Sequence, residues 1–356
     1  MHKKNEEILF KIVNGREKLY FKTLSAIKNV KVAVVGDIIA DEYIYGSCER
    51  ISREAPVLIL RHKNSKTTPG GAGNATANVA SLGASVCSIG VMDKGREADE
   101  VLKFYKSNNI DARYTLRSDD YQTCVKTRIM SGSLHTTLQQ VIRIDKGGDK
   151  WINDKTAVKI LYNFEKAVKT VDSVLISDYN CGLFTDRFCG GLQEILKSEY
   201  SKRNIFIIVD SRHRLFDFKG AYMATPNESE AYEASGVKIK DKKTLIECGL
   251  RLIQKTGNRT MLITRGSEGM AFFDENQKLY EIPITRRDEI ADVTGAGDTV
   301  AAMLAASLPV SVKAKIAEIS IELANIAGGV KVMKRGTAQV ERHEVKAEIE
   351  RILKTQ

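Results

Sequence analysis

From Lys31 onward, short and almost wholly apolar runs alternate with stretches of helical periodicity. The runs stand at Val32–Val35, Val86–Ile89, Val174–Ser177, Ile205–Val209 and Met261–Thr264. Such runs suit strands buried on both faces of a parallel sheet. The patterns over Ala98–Ser107, Val158–Val168 and Leu245–Thr256 suit the helices that must cover those faces. Together they predict an α/β fold with a doubly wound, mainly parallel sheet flanked by helices. Polar residues or glycine follow four of these runs as Gly36-Asp37, Asp178, Asp210 and Arg265-Gly266, with Asn227 after the short Tyr222–Ala224 run. Open α/β sheets bind ligands outside the carboxyl ends of their strands, so a site is expected along that rim. Capping alone accounts for two or three of these residues.

Two segments break the rhythm. Residues 42–63, with Tyr43, Ile44, Tyr45 and Val57–Leu60, read as antiparallel hairpins or meanders, as do residues 121–145, with Val125, Thr127, Ile129, Val141, Ile142 and Ile144. They predict a small second sheet that projects from the rim as a lid. Residues 1–30 predict a helical extension. Ile8, Leu9, Ile12 and Val13 precede an Asn14-Gly15 break, and Leu19, Phe21, Leu24 and Ile27 follow it. The main domain is expected over 31–345, with 346–356 as the end of a C-terminal helix.

The chain has 356 residues, 43% of them hydrophobic, and carries a formal charge of +10. That length and apolar content support one large domain with an elaboration. The charge suggests anionic partners, but no Arg/Lys block is dense or interleaved with aromatics, which argues against nucleic acid. The six cysteines form no CxxC pair and read as reduced, mostly buried thiols. With no apolar run of membrane-spanning length and no signal-peptide core, a cytoplasmic location is expected.

Two glycine-rich loops carry chemistry. Asp292-Val293-Thr294-Gly295-Ala296-Gly297-Asp298-Thr299 leads into a long stretch of small apolar residues. The first turn of a helix offers unpaired N–H groups and a partial positive end, which hold an anion. A carboxylate there repels a phosphate unless it accepts a proton from a hydroxyl attacking that phosphate. The plainer alternative is a carboxylate that simply favours a helix N-terminus. The second loop, Pro69-Gly70-Gly71-Ala72-Gly73-Asn74, opens another helix of small residues. Its glycines permit close backbone approach, and Asn74 can donate to and accept from hydroxyls. GGAGN lacks the GxGxxG spacing of a dinucleotide fingerprint, and the chain has no GxxxxGK[ST] loop.

In that order, the two loops resemble the signatures of the ribokinase-like (PfkB) family of carbohydrate kinases. Gly36–Asp41 resembles the family's first strand with its sugar-binding aspartate, Asp41. Thr225-Pro226-Asn227-Glu228-Ser229-Glu230 resembles its NxxE motif, and Thr264–Gly269 its nucleotide-contacting strand end. The resemblance runs from about Lys31 to about Val340 and implies a ribokinase-like fold that uses ATP with Mg2+. It implies Asp298 as the base, with Gly295, Ala296, Gly297 and Asp298 supplying N–H groups to the transferred phosphoryl group. Asp41, Gly70, Gly71, Asn74 and Asp178 would contact the sugar. Asn227, Thr264, Gly266 and Asn325 would contact ATP, and Asn227 and Glu230 would hold magnesium through water. A monovalent cation such as K+ is implied near Asp292, Thr294 and the Arg335–Thr337 stretch.

Within the family, three segments resemble the D-glycero-beta-D-manno-heptose 7-phosphate kinases of ADP-heptose synthesis. They are Arg50-Ile51-Ser52-Arg53-Glu54-Ala55-Pro56-Val57, the pair Lys126–Met130 and Gln139–Asp145, and Ser177–Gly182. Lys126, Arg128 and Arg143 suit a substrate that already carries phosphate. Arg53, Cys181, Asp210–His213 and extra residues around Gly132–Leu138 depart from that group's pattern. Another PfkB substrate (a fructose phosphate, ribose or a nucleoside) and a silent sugar sensor are the alternatives. The exposed apolar side of a lid suggests a homodimer. The sequence has no HxGH motif, so any adenylylation is expected to reside elsewhere.

Overall fold

All five apolar runs fall on strands of one sheet. The computed structural model describes residues 16–132, 138–285 and 290–355. The repeats at Ile8–Val13 and the centre of the Gly132–Leu138 insertion lie outside the described residues. The chain begins with α1 (Glu17–Ala26), β1 (Lys31–Gly36), β2 (Ile38–Ile51), β3 (Leu58–Gly71), α2 (Ala72–Ser81), β4 (Ser85–Met92) and α3 (Arg96–Ser107). It continues through β5 (Thr115–Arg117), β6 (Cys124–Gly132), β7 (Gln139–Lys146), α4 (Asp154–Val168), β8 (Ser173–Asp178), α5 (Asp186–Lys202), β9 (Phe206–Ser211) and β10 (Met223–Ala224). Then come α6 (Glu228–Ser235), α7 (Lys242–Thr256), β11 (Thr260–Thr264), β12 (Met270–Phe273), β13 (Leu279–Ile282), α8 (Ala296–Ser311), α9 (Ala317–Val332) and α10 (Arg342–Thr355).

The main sheet has the order β13-β12-β11-β10-β9-β8-β1-β4-β5. Strands β11, β10, β9, β8, β1, β4 and β5 run parallel, and β12 and β13 add an antiparallel edge. Alternation along β1 separates two cores. Val32 and Val34 pack with α1, α2, α3, α8, α9 and α10. Ala33 and Val35 pack with α4, α5, α6 and α7. Within the first core, Tyr20, Leu24 and Ile27 of the N-terminal extension are fully or almost fully buried. The Tyr20 hydroxyl donates to Glu322 of α9. No helix among the described residues is long and apolar enough to cross a membrane. All six cysteines are free thiols.

The second sheet has the order β3-β2-β6-β7. Each outer pair is antiparallel, as predicted, but the central β2/β6 pair is parallel. The reason is positional. Strand β2 continues from β1 across Asp37, and β6 starts beside it with Cys124 against Ile39, so both climb from the rim together. The returning strands β3 and β7 are left on the outside. Strand β3 comes back to the rim at Gly71 and passes directly into α2. Ile51, Leu58, Val141, Ile142 and Ile144 of this sheet are exposed.

Candidate active site

The rim collects the ends of β1, β8, β9 and β11, the first turns of α2 and α8, and the base of the lid. Gly295 caps α8 with φ +77°. A side chain there would be strained. Its Cβ would also stand 2.6 Å from the Asn74 amide nitrogen. One turn on, Asp298 is buried, and both its carboxylate oxygens are held: Asn74 Nδ2 donates to Oδ2 and Tyr179 Oη donates to Oδ1, each at 2.6 Å. Asn78, one turn along α2, accepts from Thr299 Oγ1 at 3.2 Å and from the Val340 N–H at 3.1 Å, which clamps α2 to α8. Burial raises the Asp298 pKa, the Tyr179 and Asn74 bonds pull it back, and the nearby Asp41 charge raises it again. A buried carboxylate that is reluctant to hold its charge is a good proton acceptor. The N–H groups of Gly297 and Asp298 lie in the first turn, where no residue four back can accept them.

Asp41 sits low on β2, ion-paired with Arg128 of the neighbouring β6. Gly70 makes room for it, since a Cβ there would fall 2.3 Å from Asp41 Oδ2. The Arg128 guanidinium also lies 5.4 Å from the centre of the Tyr43 ring. Two residues along β6, Lys126 reaches within 5.6 Å of the Tyr179 ring centre. Thr127 points the other way and donates to Glu42 at 2.8 Å. Strand alternation therefore puts Lys126 and Arg128 together on the side that faces the rim. Beside them a cavity of about 640 Å³ opens between the lid and the 335–339 turn, lined by Tyr43, Lys66, Arg128, Asp292, Arg335 and Thr337 among others.

Asp178 is buried, and its oxygens accept the Asn180 N–H at 2.9 Å and the Ser211 hydroxyl at 2.6 Å. It braces the loop that carries Tyr179. Asp37 does the same from below, accepting the N–H groups of Tyr179, Cys181 and Leu183 at 2.9–3.2 Å. The sequence held Tyr179 and Arg212 only within the Ser177–Gly182 and Asp210–His213 segments and gave neither a place in the site. In the structure Tyr179 bonds Asp298, and the Arg212 guanidinium lies 4.5 Å from the Tyr179 ring centre. The only clue was that both follow the ends of β8 and β9.

On the other side of the rim, Asn227 and Glu230 form a capping box on α6. The Asn227 side chain accepts the Glu230 N–H and Glu230 accepts the Asn227 N–H, both at 2.9 Å. Thr264 at the end of β11 donates its N–H to the Pro226 carbonyl, next to Asn227, at 3.0 Å. Gly266 is exposed, with φ +53°. Asn325 stands apart on α9, its amide given to the Pro283 carbonyl at 3.0 Å. Asp210 bonds Thr225 at 3.2 Å, and its pKa is driven well above the usual range by burial and then by the charges of Glu230 and Asp298. Among the described residues no three His, Cys, Asp or Glu side chains converge on a metal-sized point. Mutually repelling carboxylates at Asp210 and Glu230 suit a hydrated divalent cation held through water.

The Asp292–Thr294 region is built differently. The Asp292 carboxylate accepts the Thr294 N–H at 2.9 Å and the Gly336 N–H at 2.8 Å. Burial works to raise its pKa, but these bonds and the Lys331 charge hold it below the usual carboxylate range.

Bifunctional protein HldE of Sulfurimonas denitrificans is 34% identical over 316 residues, 88% of this chain and 63% of its own. The HldE of Desulfatibacillum aliphaticivorans is 34% identical over 335 residues, 94% of this chain and 66% of its own. The chain thus spans just under two thirds of these relatives' length. The structure of Escherichia coli phosphofructokinase-2 with substrates and products has a TM-score of 0.70 at 14% identity and covers 91% of this chain and 100% of that one. Arabidopsis thaliana ribokinase complexed with ribose and ATP has a TM-score of 0.66 at 17% identity and covers 90% of this chain and 99% of that one. At such identities these likenesses establish the ribokinase-like α/β fold. The sequence match is to the pfkB family carbohydrate kinases over residues 29–343, and the chain belongs to that family.

Proposed function

We propose that this carbohydrate kinase transfers a phosphoryl group from ATP to a sugar phosphate, with the anomeric hydroxyl of heptose 7-phosphate as acceptor. The observation that carries the sugar-phosphate reading is the pairing of Lys126 and Arg128 on the site-facing side of β6, next to Asp41. A phosphate on the far end of the sugar would draw Arg128 from Asp41 and free that carboxylate to accept sugar hydroxyls. The lid motifs that resemble heptose 7-phosphate kinases lie on these same strands.

Asp298 would take the proton of the attacking hydroxyl while Asn74 and Tyr179 hold its carboxylate in place. The first-turn N–H groups of Gly295, Gly297 and Asp298 would face the oxygens of the transferred group, where fixed dipoles cost no reorganisation, whereas that of Ala296 is given to the Val293 carbonyl at 3.2 Å. Thr264, Gly266 and Asn325 would border the nucleotide. Asn227, Glu230 and Asp210 would hold hydrated magnesium, which supplies neutralising charge to the ATP phosphates when bound. The exposed apolar residues of β7 and of the β2/β3 end would be covered by the lid of a second copy.

The test is kcat/KM for heptose 7-phosphate and for the matched neutral sugar, in wild type and in Lys126→Ala. That substitution leaves the Asp41–Arg128 pair intact. A charge-assisted hydrogen bond is worth roughly 1.5–3 kcal/mol, so the phosphorylated substrate should lose about 10- to 100-fold and the neutral one little. Wild type preferring the neutral sugar, or equal losses on both, would make this a kinase of an unphosphorylated sugar.

A further inference from the structure

Lys331, in the last turn of α9, has no exposed surface at all. A buried ammonium persists only where nearby groups compensate its lost hydration. Its Nζ donates to the Lys334 carbonyl at 3.3 Å. That carbonyl opens the turn whose Gly336 N–H holds the Asp292 carboxylate at 2.8 Å. The next residue, Val332, accepts the N–H groups of Ala291 and Asp292 at 2.8 and 3.0 Å. The lysine is thus packed into the knot that joins the end of α9, the Asp292 loop and the 334–337 turn. Burial pushes its pKa below the ordinary lysine value, and the charges of Asp292 and Asp298 work against that shift. The neighbouring Lys334 is turned away, with its ammonium on Glu344 and the Gln339 carbonyl.

This is the region where the family resemblance implies a bound monovalent cation. Such an ion would sit among Asp292, Thr294 and the Arg335–Thr337 stretch. An ammonium has the same charge in a comparable volume, and Lys331 already bonds the Lys334 carbonyl, directly beside that stretch. The residues present therefore do not fit a free cation beside a buried lysine.

We propose that the Lys331 ammonium is a tethered replacement for that cation. It is a positioning residue. It compensates Asp292 and holds the Asp292 loop against the 334–337 turn, which fixes the approach to Gly295 and Asp298. Phosphoryl transfer by this chain then needs no potassium. The proposal rests on the chain being a carbohydrate kinase, not on which sugar it takes.

Two readouts test it, one without turnover. Thermal midpoints and kcat are measured in tetramethylammonium chloride and in potassium chloride at equal ionic strength, for wild type, Lys331→Met and Lys331→Arg. Wild type should give the same kcat and the same midpoint in both salts. Lys331→Met should lose about 100-fold in kcat without potassium, the order expected for one misplaced electrostatic element of a site. Potassium should restore most of that loss and should raise the midpoint of this variant alone, as any ligand specific to the folded state does. Lys331→Arg should stay potassium-independent. Potassium activation or stabilisation of wild type would overturn the proposal whether or not the variants fold. So would a Lys331→Met enzyme that is fully active without potassium. If no sugar tested is turned over, the heptose-phosphate reading fails while the thermal arm still decides this one.

Discussion

Asp298→Asn separates the chemical and structural roles of one side chain. In the folded protein each Asp298 oxygen receives one hydrogen bond of 2.6 Å, from Asn74 and from Tyr179. An asparagine can keep both contacts. Its carbonyl accepts from Asn74, and its NH2 donates to the Tyr179 oxygen, which can accept as readily as donate. What it cannot do is take a proton. General-base catalysis contributes about 10²–10⁴-fold, so kcat should fall by that factor, or about 2.7–5.5 kcal/mol of barrier. Stability should move the other way. Burial outweighs the two hydrogen bonds, and the Asp298 pKa lies above its ordinary value. A carboxyl raised in the folded state stabilises the fold at pH below its unfolded pKa, and that contribution is lost as pH rises through its folded pKa. At neutral pH the asparagine variant should therefore melt higher than wild type, and the gain should vanish as pH falls below the ordinary carboxylate range. The assays are ADP release under saturating sugar and ATP, and thermal melts across pH. Retention of more than about a tenth of kcat would refute Asp298 as the base. A variant that loses activity but melts lower would show that the carboxylate's charge is structural.

Tyr179→Phe removes one donor to the ionised Asp298, so the acid limb of kcat/KM should move to higher pH; an unshifted limb would disconnect the two residues. Glu230→Gln keeps the capping box, which glutamine serves as well as glutamate, so its melting point should hold while the magnesium midpoint of activity rises; an unchanged midpoint would remove Glu230 from the metal's surroundings. Ile144→Lys on the exposed side of β7 should turn a dimer into a monomer by sedimentation velocity; a wild-type monomer at micromolar concentration would dispose of the lid-dimer proposal.

Much of this protein is written locally. The five apolar runs predicted the main sheet because burial on both faces leaves an unbroken apolar word in the chain. The GAGD turn could be read because a helix N-terminus after two glycines has few uses for a carboxylate other than capping or proton transfer. Other features depend on distance in sequence. Asp298 meets Tyr179 across 119 residues and Asn74 across 224, and no pattern of period 2 or 3.6 encodes such meetings. At the end of β8 the sequence sets Asp178 and Tyr179 side by side, and the aspartate looks the more chemical of the two. The folded loop, with Asn180 at φ +56°, gives Asp178 to Ser211 and sends Tyr179 to the Asp298 carboxylate. Parallel pairing of β2 with β6 followed from where both strands leave the rim, which two separate hairpin patterns could not express. Lys331 reads in sequence as a solvated lysine at a helix end; only the packing of α9 against the Asp292 loop buries it, because water is excluded there by segments that are about forty residues apart along the chain but adjacent in the fold.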